Sequence, residues 1–273
     1  MTLTLFDIPR LFEYTFFRNA LLGGIITAIV CAWIGMFLIL RKESMLVDGV
    51  AHTSFGGIAL GLFLGINPLL TALLITILAV LGISWMRRLG MAHSDSATAV
   101  MLALGFSTGL IIISLADGFN VELMSYLFGS ILTIGATDLQ IVGALAVITF
   151  VFLGVFYKEL LSITFDEDSS RLMGIPVRPL SIAYNILIAV TIVLSIKVIG
   201  IILVVALIVL PGLTALQLGL SFKGTTMAAM CFGASSVFTG MILSAIYDVA
   251  TSGVIVFTMT GIFLFVAAYR RLE

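Results

Sequence analysis

The chain has 273 residues, 61% of them hydrophobic and only 10% charged, with a net charge of −1. A soluble globular protein carries roughly 25% charged residues, so this composition excludes a soluble fold and describes an integral membrane protein. With 13 basic and 14 acidic residues spread along it, the chain offers no basic patch or aromatic-basic interleaving for nucleic acid.

Residues 1–19 mix Asp7 and Glu13 with Arg10 and Arg18 among scattered apolar positions. That is a poor signal peptide and reads as a short amphipathic lead-in at the membrane surface. A spanning helix needs about 20 apolar residues. The first such run is Asn19–Leu40, closed by Arg41-Lys42. Thr53–Met86 follows, and Asn67-Pro68 divides it into two spans joined by a tight turn. Ser96–Ala116, Leu139–Tyr157, Leu180–Ile196, Val198–Phe222, Gly224–Tyr247 and Val249–Tyr269 complete nine candidate spans. The fold class is therefore all-α, a polytopic membrane helical bundle of 8–9 transmembrane helices forming one domain over 1–273.

Basic residues in short loops mark the cytoplasmic side. If Arg41-Lys42 are inside, strict alternation puts Arg87, Arg88, Lys158, Arg171, Arg178, Lys223, Arg270 and Arg271 inside too. Only Arg10, Arg18 and Lys197 then fall outside. The N-terminus faces out and the C-terminus is cytoplasmic. Leu123–Thr137 is too short to span and is expected as a re-entrant or interfacial helix over the external mouth. Asp117, Glu122, Asp138 and Asp248 make that side acidic and attractive to cations. Glu122 and Asp248 are the candidate metal contacts there.

The one sizeable internal loop runs from Lys158 to Pro179. Acids at Asp166, Glu167 and Asp168 suit a helix N-terminus, and Gly174 with Pro176 stops it. A helix of about two turns is expected, lying along the membrane face with Leu172 and Met173 free to touch a partner. Cys31 and Cys231 stand alone in apolar runs and are expected as buried small hydrophobes.

No metalloprotease, serine-hydrolase, nucleotide-binding or dithiol motif is present, so no catalytic residue is assigned. Of two histidines, His93 sits in a turn beside Ser94 and Asp95. His52 differs, because it follows Asp48 by four residues in a short polar interruption, Val47 to Thr53, between the run that ends at Leu40 and the one that begins at Thr53. On a helix that spacing stacks both side chains on one face. Imidazole with carboxylate suits Zn²⁺, Mn²⁺ or Fe²⁺. Two ligands are an incomplete site, which fits a cation that must leave again, and a second copy of the chain would supply another pair. The alternative is that Asp48 caps the helix and His52 packs beside it. Gly57 and Gly61 form a step that permits close helix contact.

The stretch from Asp48-Gly-Val-Ala-His52 to Gly57-Ile-Ala-Leu-Gly61 resembles the membrane permease subunit of ABC-type importers for transition metals, the zinc/manganese/iron group. So do Val121-Glu-Leu-Met-Ser-Tyr-Leu-Phe-Gly129, the loop Phe165-Asp-Glu-Asp with Arg171-Leu-Met-Gly-Ile-Pro176, and the segment from Val198 to Pro211. The resemblance covers nearly the whole chain. Within the group it is most like the zinc permeases, through Tyr126-Leu-Phe-Gly129 and Ala245-Ile-Tyr-Asp248. After Asp248 it departs from them, reading Val249-Ala-Thr-Ser-Gly253 without the proline they often carry.

The resemblance implies a homodimer in the cell membrane, served by two ATP-binding subunits and an extracellular or periplasmic metal-binding protein. It implies that the permease is not itself the ATPase and holds no permanent cofactor, Zn²⁺ (or Mn²⁺/Fe²⁺) being cargo. Asp48 and His52 would line the metal path. Phe165, Asp166, Asp168, Arg171, Leu172, Gly174 and Pro176 would form the coupling helix docked on the ATPase. A secondary transporter without an ATPase would instead show inverted repeats and charges in mid-membrane, and neither is visible.

Overall fold

The computed structural model describes residues 11–91, 94–116, 121–129 and 134–272. His93, Asp117 and the lead-in before Leu11 lie outside the described residues. The described helices are α1 (Thr15–Leu40), α2 (Met45–Leu64), α3 (Pro68–Arg88), α4 (Ser94–Leu115), α5 (Val121–Phe128), α6 (Ala136–Val155), α7 (Tyr157–Phe165), α8 (Glu167–Leu172), α9 (Val177–Ile199), α10 (Ile201–Leu216), α11 (Phe222–Tyr247) and α12 (Thr251–Leu272). Eight of them are long and apolar enough to cross a membrane, and α10 is a shorter apolar helix of 16 residues. This is the expected polytopic all-α bundle.

Contacts group the chain into two units. One takes the described residues of Met1–Ile39, Phe128–Phe150 and Ser195–Glu273; the other takes those of Leu40–Leu127 and Val151–Leu194. The four divisions fall within helices α1, α5, α6 and α9.

In the second unit, α2 is packed between α3 and α4. The α2–α3 hairpin forms as its sequence predicts. Gly65 ends α2 at φ 67°, the Asn67 side chain accepts from Leu69 N and Leu70 N, and Pro68 opens α3 where no amide donor is needed. Gly57 then lets α3 come close: a methyl there would stand 2.6 Å from Ala72 Cα. On the other side, a methyl at Gly56 would run into the carbonyl oxygen of Gly105 on α4. Thr53 Oγ1 donates to Gly49 O at 2.7 Å and also lies 3.2 Å from Met101 O of α4.

In the first unit, α10, α11 and α12 pack on one another. The Gly35 position of α1 meets the Ile208 carbonyl of α10 so closely that no Cβ fits. Asp138 and Lys197, both expected outside, form an ion pair of 2.6 Å, with the Asp138 side chain nearly buried. Cys31 is buried as expected, whereas Cys231 is exposed on α11. Its apolar run continues onto an outward face of the helix, so an apolar neighbourhood in sequence did not imply burial.

Two local expectations change. The segment 123–137 is not one helix. α5 starts at Val121 and stops after eight residues at Phe128, where Gly129 turns at φ 75°. Gly129 abuts the Ile199–Gly200 peptide, so a side chain there would collide with backbone. The internal loop also holds more helix than expected. Its first part, Tyr157–Phe165, is α7, with Leu160 and Ile163 buried on one side.

Candidate metal centre

Asp48 and His52 lie inside α2, which begins at Met45. The polar stretch is thus no break between runs, and Asp48 stands in the first helical turn and not deep along the span. Ser44 holds the cap position without a side-chain hydrogen bond, so Asp48 does not cap the helix. A carboxylate in the first turn is favoured by the partial positive charge of the helix start.

Most of α2 is buried, from Leu46 and Val47 through Val50, Ala51, Phe55 and Ile58. Asp48 and His52 are the two positions between Leu46 and Ala59 that stay open. Their side chains are 43% and 36% exposed, and His52 Nε2 lies 3.4 Å from Asp48 Oδ1. The ring of Phe106, from α4, meets the His52 imidazole edge-on at 5.2 Å between centroids. Phe106 was not legible beforehand, being one of 20 phenylalanines with no spacing to mark it. The glycine contacts of α2 fix which of its faces is covered, and so keep both polar side chains on the open one.

An imidazole nitrogen and a carboxylate oxygen at that separation can bind one divalent ion between them, at roughly 2.0–2.2 Å from each. No group of three or more His, Cys, Asp or Glu side chains converges among the described residues. Asp248, in the other unit, ends α11 in the left-handed conformation at φ 53°, which aspartate tolerates better than most residues. It is exposed and lines a cavity of about 470 Å³ with Phe16, Phe128, Val237 and Ser244. The side chain of Glu122 lies outside the described residues.

The loop residues gather around α8. The Asp166 side chain accepts from Ser169 N at 3.0 Å and caps the helix. Hydrogen bonds from the Ser169 hydroxyl first, and then from its backbone amide, hold the Asp166 carboxyl below its ordinary value. Arg171 pairs with Glu167 at 2.9 Å and approaches Asp168 at 3.7 Å. Ser170 is buried and within 2.7 Å of Ser162 on α7, which ties the two short helices together. Gly174 turns at φ 82° ahead of Pro176. α8 spans six residues, close to the two turns expected. Its outer tip is apolar and open: Leu172 is 90% exposed, and Met173 and Phe165 are also exposed.

The chain is similar to several known membrane proteins. The zinc uptake membrane protein ZnuB of Haemophilus influenzae is 30% identical over 263 residues, covering 96% of this chain and 99% of that protein. The manganese transport membrane protein MntC of Listeria innocua is 32% identical, covering 94% of this chain and 91% of its own. Among solved structures, PsaBC from Streptococcus pneumoniae, in complex with Fab, superimposes with a TM-score of 0.84 at 29% identity, over 95% of this chain and 93% of that one. The sequence pattern of one family runs through residues 13–270, nearly the entire length, and the chain belongs to that family, the ABC 3 transport family.

Proposed function

We propose that this chain is the permease subunit of an ATP-driven importer that carries a divalent transition metal, Zn²⁺ first, into the cytoplasm. The observation that carries the reading is the open Asp48–His52 pair on an otherwise buried helix. A polar pair left accessible within a transmembrane helix is costly unless it serves transport. The pair binds the ion as a half-site. A second copy in a homodimer supplies the other half, and with only two ligands from each chain the ion is released readily.

ATP hydrolysis belongs to two separate ATP-binding subunits. Phe165, Leu172 and Met173 contact them, and Asp166, Asp168, Arg171, Gly174 and Pro176 shape that contact. An extracellular metal-binding protein delivers the ion to a mouth that includes Glu122 and Asp248. The chain is multi-pass in the cell membrane with a cytoplasmic C-terminus. One relative named for zinc and several named for manganese support metal import, and one imidazole with one carboxylate serves either ion.

The test is metal accumulation in cells whose only importer contains this chain. Asp48→Ala and His52→Ala should each reduce zinc uptake by about tenfold or more, since loss of even an outer-shell partner of a metal ligand costs about that much, while the chain still assembles in the membrane. Normal accumulation of both zinc and manganese in either variant overturns the site. Loss of manganese accumulation instead, with zinc untouched, assigns Mn²⁺ as cargo. Uptake that persists after ATP depletion points to a secondary transporter.

A further inference from the structure

One end of the second unit holds a cavity of about 510 Å³, apart from the Asp48–His52 pair. Five arginines line it, Arg41, Arg87, Arg88, Arg171 and Arg178, against two glutamates, Glu43 and Glu167. Both glutamates are engaged, by Arg87 at 2.9 Å and by Arg171 at 2.9 Å. Arg41 donates to Ser181 Oγ at 3.1 Å and lies over the Tyr184 ring. Arg88 and Arg178 form no ion pair among the described residues. The cavity thus has an excess of three positive charges with no internal anion to balance it.

A second observation comes from Asn185, which lines the same cavity. It is 5% exposed, and its Oδ1 is buried without a hydrogen-bond partner. A buried acceptor left unpaired is costly, so a donor belongs there. A ligand for this cavity is therefore anionic and carries a hydroxyl or amine.

The surroundings name its source. On α3, Leu74, Leu78, Leu81, Trp85 and Arg88 follow one another in steps of four and three, so they form one stripe. The four apolar members are large and exposed. Tryptophan marks the headgroup level of a bilayer, and beyond it the stripe ends in a cavity arginine. Basic pockets between transmembrane helices take anionic headgroups, and guanidinium matches phosphate geometry. An acidic segment of a partner protein is the poorer fit, because the exposed apolar stripe that runs up to Arg88 suits acyl chains and not a charged peptide.

We propose that this cavity binds the phosphate headgroup of an anionic glycerophospholipid. The phosphate meets Arg88 and Arg178, a headgroup hydroxyl donates to Asn185 Oδ1, and the acyl chains lie along Leu74, Leu78 and Leu81. The proposal stands whichever ion the protein carries.

The test uses the full chain purified in neutral detergent, with phosphatidylglycerol, phosphatidic acid and phosphatidylcholine as probes and native mass spectrometry as readout. Phosphatidylglycerol should bind about tenfold or more tighter than phosphatidylcholine. Arg88→Gln and Arg178→Gln should each weaken it by roughly fivefold, and the lysine variants should keep most of the binding, which separates charge loss from misfolding. Lys158→Gln, outside the cavity, should change nothing. Asn185→Leu should weaken phosphatidylglycerol but spare phosphatidic acid, which lacks the headgroup hydroxyl. Equal affinity for phosphatidylcholine, or an equal loss in Lys158→Gln, overturns the site. Displacement by inorganic phosphate at matching concentration assigns a free anion instead. Binding lost when the ATP-binding subunit is added assigns the cavity to that subunit.

Discussion

Lys197 is the basic residue that least fits the charge pattern of the chain. It falls in the last turn of α9, on the side where few other basic residues are expected. Its ammonium lies 2.6 Å from Asp138, whose side chain is 10% exposed and also accepts from Gly135 N at 3.0 Å. The pair accounts for both residues, and it lowers the negative charge expected at the external mouth by one. Lys197→Met leaves a largely buried carboxylate unpaired. Loss of a fully buried partner costs 3–5 kcal/mol, and the exposure of Lys197 reduces this to about 1–3 kcal/mol. Thermal unfolding in detergent should show the loss, and Asp138→Asn combined with Lys197→Met should recover most of it. At the same scale, the stacking of Asp48 on His52 was legible from spacing alone. The cover from Phe106 and the arginine cavity were not, since both depend on residues brought together by packing.

Among the elements, α8 shows what local signals can set. Asp166 at its start, Arg171 in its last turn and Gly174 after it were all readable, because each acts on backbone within a few residues. The capping of Asp166 makes α8 sensitive to acid. Its carboxyl titrates below the ordinary aspartate value in the folded chain, so the capping contribution is fully present above that ordinary value. It is lost as pH falls through the depressed one. Amide hydrogen exchange over 169–173, corrected for the intrinsic rate, should show protection falling in that acid range. Asp166→Ala should show the reduced protection at neutral pH as well. α7 escaped the sequence reading for a definite reason. Lys158 and Glu159 end a charge-free run, but its buried positions Leu160 and Ile163 keep helical spacing beyond them. Division by charge detects membrane boundaries and misses helices that cross them. α5 was misjudged because Gly129, not the next acid, is what ends it.

For the molecule as a whole, the number of apolar runs was legible to within one span, and Asn67-Pro68 marked the hairpin between two of them. The shared boundary of the two units was not, since it falls inside α6 and α9, where the sequence has no interruption. On the proposed reading, the apolar tip of α8 serves contact with the ATP-binding subunit. Leu172 at 90% exposure contributes little to its own fold. Leu172→Asp should leave the unfolding midpoint of the isolated chain within about 1 °C, as for a surface substitution of under 0.5 kcal/mol. In the same variant, co-purification of the ATP-binding subunit should fall by roughly tenfold, as when a single buried apolar anchor is removed. Retention of the subunit at the normal level would show that the tip is not the docking point.

The backbone contacts of Gly56 and Gly57 have one more consequence. With a carbonyl against one side and a neighbouring Cα against the other, α2 cannot turn about its own axis without lifting α3 and α4 away. Its polar edge therefore has no independent swivel. A transport cycle that, on the proposed reading, turned Asp48 and His52 from one compartment to the other would carry the three-helix block as a rigid body.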